Sequence, residues 1–166
     1  TVGHQSTSNS LGTGLFSLLQ HPEQLAALRA RPELVPAAVE ELLRFNPYVL
    51  TGTQLRVAVA DVTVADTLIR RGDAVIAALG SANHDETVFP DPDRFDIERP
   101  SNPHLAFGFG VHHCLGAQLA RLELQVALTT LIAALPETVH LSVPASWLTW
   151  KVGLTARAPA TLPVDW

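Results

Sequence analysis

The chain has 166 residues, of which 47% are apolar and 16% charged, and its 11 Lys and Arg against 16 Asp and Glu give a formal net charge of −5. This length and apolar content suffice for one hydrophobic core and exclude a disordered chain. The negative charge gives no indication of binding to nucleic acid or to an anionic membrane surface. One cysteine cannot form an internal disulfide, and no C-x-x-C pair is present for a structural zinc site, so a reducing, cytoplasmic location is favoured.

The ends of the sequence and its long apolar segments bear on its completeness. No run of 18 or more apolar residues and no secretory signal pattern occurs, so we expect no membrane anchor in this portion. The chain begins with Thr, contains no Met and opens inside a helical pattern. We therefore expect a partial single domain over residues 1–166, with the preceding half of the domain absent from this chain.

Helical periodicity dominates the first 46 residues. Apolar residues at helical spacing begin with Leu11, Leu15, Leu18 and Leu19. His21-Pro22 should end this helix, and residues 22–46 predict two or three further helices separated by the prolines at 22, 32 and 36. The last of them should end near Arg44.

Short strands and a long loop are predicted for the middle of the chain. Apolar residues alternate over 55–64, which predicts strands, and the turn signal at 71–73 before the apolar run 74–79 predicts a hairpin or small sheet. Residues 83–103 hold four prolines among many charges and predict a long ordered meander or loop.

A long helix is predicted near the end of the chain. Two leucine-rich stripes run over 115–135, so we expect this helix to be buried on more than one face. The tail beyond Pro136 is strand-like and broken by prolines. Helices at both ends with short strands between them favour a mainly α domain with small β-sheets, the α+β class.

The single cysteine lies in "FGFGVHHCLG", residues 107–116, directly before the predicted long helix. Free N–H groups at a helix start stabilise a thiolate, and the glycines leave room for something large and flat. Three chemistries use such a thiolate: zinc binding, a Cys-His nucleophile with His113 or a more distant histidine as base, and ligation of haem iron. Zinc is disfavoured because His112, His113 and Cys114 are consecutive and cannot converge on one tetrahedral ion.

This stretch matches the pattern Phe-x-x-Gly-x-x-x-Cys-x-Gly at Phe107, Gly110, Cys114 and Gly116. It resembles the cysteine loop of the cytochrome P450 family, in particular that of the soluble bacterial members. The resemblance to these members extends over the chain from Gly3 to about Val164. The resemblance implies the C-terminal part of the P450 fold and a haem b (iron protoporphyrin IX) whose iron is bound by Cys114. It also implies haem contacts from Arg56 and His112, as propionate partners, and from Phe107, Gly108, Gly110, Leu115, Gly116 and Ala120.

Two further motifs resemble structural features of the family. Glu41 and Arg44 match its Glu-x-x-Arg, and "PDRF" at 92–95 is similar to the motif whose arginine, here Arg94, completes a Glu-Arg-Arg network. The resemblance implies that these three residues lock the fold and are not catalytic. A buried carboxylate held by two guanidinium groups is chemically sensible, because losing one member leaves an unpaired charge.

"VGHQSTSN", residues 2–9, resembles the family's distal oxygen-binding stretch, in which an acid precedes an alcohol. Gln5 stands at the acid position and Ser6 at the alcohol position. Gln5 can form hydrogen bonds but cannot titrate, so proton delivery should depend on Ser6 with water or a substrate hydroxyl. Alternatively, the enzyme is driven by peroxide or performs non-oxygenative chemistry.

The resemblance implies a monooxygenase of bacterial secondary metabolism that inserts one oxygen atom from O2 into a small apolar organic substrate. Electrons would come from ferredoxin and ferredoxin reductase or a similar donor. The segments 48–53 and 152–155 would line the substrate site through four residues: Val49, Leu50, Thr51 and Leu154. Two rivals remain, a catalytically incomplete structural fragment that needs its N-terminal half and a Cys-His hydrolase.

Overall fold

The structure is a computed structural model, and it describes residues 3–47, 55–151 and 157–166. The first helices follow the sequence pattern: α1 covers His4–Gln20, α2 covers Pro22–Ala30, and α3 covers Val35–Phe45 after a 3₁₀ turn at Pro32–Leu34. The prolines at 22, 32 and 36 each lie in the first turn of a helical element, as the sequence predicted for element boundaries. Proline is tolerated there because those N–H groups have no partner within the helix.

The middle of the chain forms two small antiparallel sheets. Strand β1 (Arg56–Val57) pairs with β4 (Ala74–Val75), and β2 (Val62–Val64) pairs with β3 (Thr67–Ile69). The turn between β2 and β3 is Ala65–Asp66, both with positive φ, as two-residue hairpin turns require. The predicted strands are present, but β3 was not predicted, and the run after Gly72 supplies only the short β4.

A long meander follows the short helix α4 (Leu79–Ala82). Residues 83–109 contain neither helix nor strand, in agreement with the predicted meander over 83–103. Phe89, Phe95 and Ile97 are nevertheless buried, because the meander packs these side chains inward. The segment is therefore ordered by its own apolar anchors.

Helix α5 covers Ala117–Ala134 and packs against α1 and α3. The side with Leu124 and Leu128 is buried, and the core continues into the first three helices. The opposite side, with Leu119, Leu122 and Val126, is 57–60% exposed. The prediction that this helix is buried on more than one face is wrong for this chain, because among the described residues nothing covers that second stripe.

The C-terminal tail returns to the residues that follow α5. Strand β5 (His140–Leu141) pairs antiparallel with β6 (Val164–Asp165), and Trp150 bridges to Pro159. The sequence predicted strand character in this tail without its pairing. No helix among the described residues is both long and apolar enough to cross a bilayer.

Candidate functional site

The cysteine loop at 107–116 is a tight backbone structure that ends directly before α5, with Cys114 three residues ahead of the first helical residue. The Cys114 N–H donates to the Phe107 carbonyl at 2.9 Å, which closes the loop. Gly108 and Gly110 have φ of 72° and 74°, a conformation that side chains disfavour. The Cys114 side chain is exposed.

The outer face of this loop is bare and apolar. A Cβ built on any of its three glycines would meet no heavy atom within 4 Å: Gly108, Gly110 and Gly116. Three large apolar side chains are 87–104% exposed: Phe109, Val111 and Leu115. A thiol at the centre of an open apolar surface suits a flat apolar macrocycle whose metal takes a sulfur ligand, so the residues present fit a haem group.

Cations for the carboxylates of such a group lie on separate elements. Arg56 is on β1 and His112 is in the cysteine loop, and both are exposed. Neither side chain forms an ion pair or a hydrogen bond within the described ranges. Ala120, in the first turn of α5, is half-buried. The four predicted substrate contacts lie outside the described residues: Val49, Leu50, Thr51 and Leu154.

Gln5 and Ser6 lie in the first turn of α1, with Gln5 exposed and Ser6 half-buried. The next two hydroxyls turn back onto the backbone. Thr7 Oγ1 donates to the Gly3 carbonyl at 2.7 Å, and Ser8 Oγ donates to the Gln5 carbonyl at 3.2 Å. Of the hydroxyls of Ser6, Thr7 and Ser8, therefore, that of Ser6 is the one without a hydrogen bond to another described residue.

A buried amide lies one turn further along α1. Asn9 is 4% exposed, and its Oδ1 accepts a hydrogen bond from Lys151 Nζ at 2.5 Å. Asn9 Nδ2 is buried and has no partner among the described residues. This contact joins the C-terminal segment to the helix that carries Gln5 and Ser6. Sequence reasoning missed it because the two residues are 142 positions apart.

Glu41 and Arg44 lie side by side on α3 with fully buried side chains. Arg44 Nε and Nη2 donate to the two carboxylate oxygens of Glu41 at 2.7 and 2.8 Å. Arg44 also donates to the carbonyls of Asn83, Pro92 and Arg94. The pair therefore fastens the meander to α3.

The second arginine at Glu41 is Arg99, and the prediction that Arg94 completes this network is wrong. Arg99 Nε lies 3.2 Å from Glu41 Oε2, and the Arg99 side chain is 7% exposed. The Arg94 side chain is 64% exposed and pairs with Asp96 at 2.9 Å. Arg94 contributes only its carbonyl, which accepts hydrogen bonds from Arg44 and Arg99. The available signal was a second arginine in "PDRFDIERP", five residues after the first.

A second cluster, which the sequence analysis missed, centres on Glu40. Arg121 of α5 and His104 of the meander both contact its carboxylate. Burial alone would raise the pKa of Glu40, but hydrogen bonds from His104 and Arg121, together with the charge of Arg121, lower that pKa to about 2. Glu40 therefore remains ionised at neutral pH.

Comparison with known proteins places this geometry in a family. Residues 1–153 match the family model described as Cytochrome P450. The chain is 52% identical over 164 residues to Nocardicin C N-oxygenase of Nocardia uniformis subsp. tsuyamanensis, an alignment that covers 99% of this chain and 41% of that protein. It is 47% identical to Mycinamicin IV hydroxylase/epoxidase of Micromonospora griseorubida, with the same shares covered.

Solved structures show the same fold. The mixed-function P450 MycG matches with a TM-score of 0.92 at 47% identity, over 99% of this chain and 42% of that chain. The LnmA cytochrome P450 hydroxylase from the leinamycin biosynthetic pathway of Streptomyces atroolivaceus matches with a TM-score of 0.90 at 48% identity, over the same shares. The chain thus spans about two fifths of the length of these relatives.

Proposed function

Because this chain belongs to the cytochrome P450 family, we propose that it is the haem-binding portion of a monooxygenase, with Cys114 as the iron ligand. The observation that carries the proposal is the cysteine loop, in which an exposed thiol lies on a bare apolar surface. A thiolate ligand donates electron density to iron and favours cleavage of the O–O bond. An exposed, merely structural cysteine would not need the positive-φ glycines at 108 and 110.

The remaining loop residues would hold haem b by packing and charge. Phe107 would pack on the thiolate side, and five small or apolar residues would contact the ring: Gly108, Gly110, Leu115, Gly116 and Ala120. Arg56 and His112 would neutralise the propionates, since both are exposed and neither pairs with an acid among the described residues. A buried carboxylate without a cation would be costly.

When bound, haem supplies the activation of O2 and the transfer of one oxygen atom to an organic substrate. Residues of this chain would supply the protons that this chemistry consumes. The Ser6 hydroxyl can hold and pass a proton through water, whereas Gln5 can only orient a hydrogen-bonded partner. Gln5 and Ser6 are the residues proposed for this catalytic task.

The names of the relatives support a substrate class, and the resemblance implies an electron donor. The relatives carry names of an N-oxygenase, a hydroxylase and a hydroxylase/epoxidase. We propose that this chain also acts on a small organic substrate. Four residues would contact it, and their mostly apolar side chains favour an apolar compound: Val49, Leu50, Thr51 and Leu154. Ferredoxin and ferredoxin reductase, or a similar cytoplasmic donor, would supply the electrons.

Haem reconstitution followed by a reduced, carbon monoxide-bound spectrum tests the iron ligand. We expect the red-shifted Soret band typical of thiolate ligation, and Cys114→Ser should abolish it. His112→Ala is the matched control within the same loop: it should weaken haem affinity but leave the band position unchanged. A reconstituted chain with an unshifted band contradicts ligation by Cys114.

Two observations support second candidates. Gln5 at the position of the distal acid favours a peroxide-driven or non-oxygenative enzyme, for which product formation with peroxide and without reductase is the test. The 41% coverage of the relatives supports a catalytically incomplete structural portion that binds haem poorly or not at all, for which absence of a Soret band after reconstitution is the test. The Cys-His hydrolase lacks support, because no imidazole hydrogen-bonds the Cys114 thiol within the described ranges.

A further inference from the structure

Glu40 on α3 fixes the guanidinium group of Arg121 on α5. Arg121 Nε donates to Glu40 Oε1 at 2.8 Å, and Nη2 donates to Oε2 at 3.0 Å. Two parallel N–H···O bonds hold a guanidinium plane in one orientation, which a lysine ammonium cannot reproduce. The position of the Arg121 head group is therefore set by α3.

The fixed guanidinium lies over the ring of Phe107 in the cysteine loop. The distance from Arg121 Cζ to the ring centroid is 4.6 Å. At this distance the ring quadrupole attracts the cation. Phe107 is half-buried and also packs against the hydrophobic core, so the Arg121 contact is one of those that hold its ring.

His104 holds the same cluster from the other side. Its side chain is 2% exposed, and its Nδ1 accepts the N–H of Ala106 at 3.2 Å. Because a backbone N–H can only donate, the ring proton lies on Nε2, which donates to Glu40 Oε2 at 3.0 Å. The His104 ring lies 6.1 Å from the Phe107 ring. Residues 104 and 106 thus fix the backbone that enters the loop.

Phe107 is also the residue whose carbonyl accepts the Cys114 N–H at 2.9 Å. We propose that Glu40, His104 and Arg121 are positioning residues that clamp Phe107 and, through its carbonyl, set the orientation of Cys114. This inference rests on the proposed function, in which Cys114 binds haem iron. None of these three side chains forms a hydrogen bond with Cys114.

Amide hydrogen exchange of Cys114 in the isotopically labelled chain reads the clamp without any cofactor. Arg121→Lys keeps the charge but loses the fork and the stacking, and it should accelerate exchange of the Cys114 amide by roughly three- to tenfold, the range expected for loss of a cation–π contact. Arg31→Lys is the matched control, because Arg31 forms the same kind of pair with Glu98 on the surface. It should leave the Cys114 amide unchanged.

Two further variants separate positioning from general loosening of the fold. Leu28→Ala removes a buried side chain of α2 and weakens the core. It should accelerate exchange of the Cys114 amide no more than exchange of the Asn46 amide, which donates to the Leu42 carbonyl on α3. Phe107→Leu should accelerate the Cys114 amide, and adding Arg121→Lys to it should have little further effect, because both remove the same contact. If Arg121→Lys does not fold, Glu40→Gln decides the question, because it removes the carboxylate that holds Arg121 and leaves the Phe107 ring in place.

The same variants after haem reconstitution distinguish this inference from the proposed function. With Arg121→Lys we expect a smaller share of the red-shifted carbon monoxide band at unchanged total haem. A wild-type chain that lacks that band overturns haem-thiolate ligation, while the exchange data still decide on the clamp. A Cys114 amide that is unprotected in the wild type, or whose exchange is unchanged by Arg121→Lys, overturns the clamp whatever the spectrum shows.

Discussion

Replacing Arg99 by alanine should destabilise the fold far more than the same change at Arg94, although the sequence motif points to Arg94. Arg99 reaches the fully buried Glu41 carboxylate and also donates to the carbonyls of Pro90, Asp91 and Arg94. Its removal takes one of two guanidinium groups from a carboxylate that is out of contact with water. It also frees one of the chain segments that the network holds together.

The magnitude follows from what remains after the change. Breaking a buried ion pair completely costs about 3–5 kcal/mol. Here Glu41 keeps Arg44, the Asp96 N–H and the Asn102 amide as donors, so we expect the loss of charge-assisted hydrogen bonds to cost about 2–3 kcal/mol. The Arg94 pair is exposed and should contribute less than about 1 kcal/mol.

Urea unfolding of both variants measures this difference, provided that the slope with denaturant is unchanged. For a chain of this size, the loss at Arg99 corresponds to a fall in Tm of about 4–12 °C. Arg99→Lys, which keeps the charge but not the fork, should fall between wild type and Arg99→Ala. An equal or larger loss for Arg94→Ala would refute the assignment of Arg99 as the second arginine.

Three more outcomes are expected. For the proposed monooxygenase loaded with haem, Ser6→Ala should slow product formation by about 10²-fold. Gln5→Glu should raise the product formed per electron pair consumed, and an unchanged ratio would argue against a proton-delivery role. The pKa of Glu40 falls from 4.5 to about 2 on folding, so its contribution to stability is present above pH 4.5 and is lost as pH falls toward 2; Glu40→Gln should show a smaller loss than wild type in urea titrations over that range. Leu119→Ser should change the free energy of unfolding by less than about 0.5 kcal/mol, against about 2–5 kcal/mol for Leu128→Ala, and similar losses would mean that the exposed stripe of α5 is covered.

Local patterns predicted the helices well because proline and apolar spacing act over a few residues. The prolines at 22, 32 and 36 mark the starts of elements, as the sequence indicated. The sequence did not predict strand β3, because the turn before it, Ala65–Asp66, lacks the Asn-Gly or Asp-Gly signal of a two-residue hairpin. Its three residues are exposed or half-buried and carry little alternation.

Burial and pairing were harder to predict, because they depend on residues far apart in the chain. The stripes of α5 show which residues are apolar, and only the packing of α1 and α3 decides which stripe is covered. The choice between Arg94 and Arg99 depends in the same way on the path of the meander. Both arginines follow a turn, and only the folded chain shows that one side chain reaches Glu41 while the other stays in solvent.

The two adjacent glutamates of α3 serve different loops, and this explains how one short motif can influence two parts of the molecule. Successive residues of a helix point about 100° apart, so Glu41 faces the meander through Arg99, while Glu40 faces α5 through Arg121 and the entry to the cysteine loop through His104. Glu41→Gln should therefore mainly lower the free energy of unfolding. Glu40→Gln should lower the free energy of unfolding as well, and it should in addition accelerate amide exchange at Cys114. Identical effects of the two changes on both measurements would show that α3 acts on the loops as a single unit.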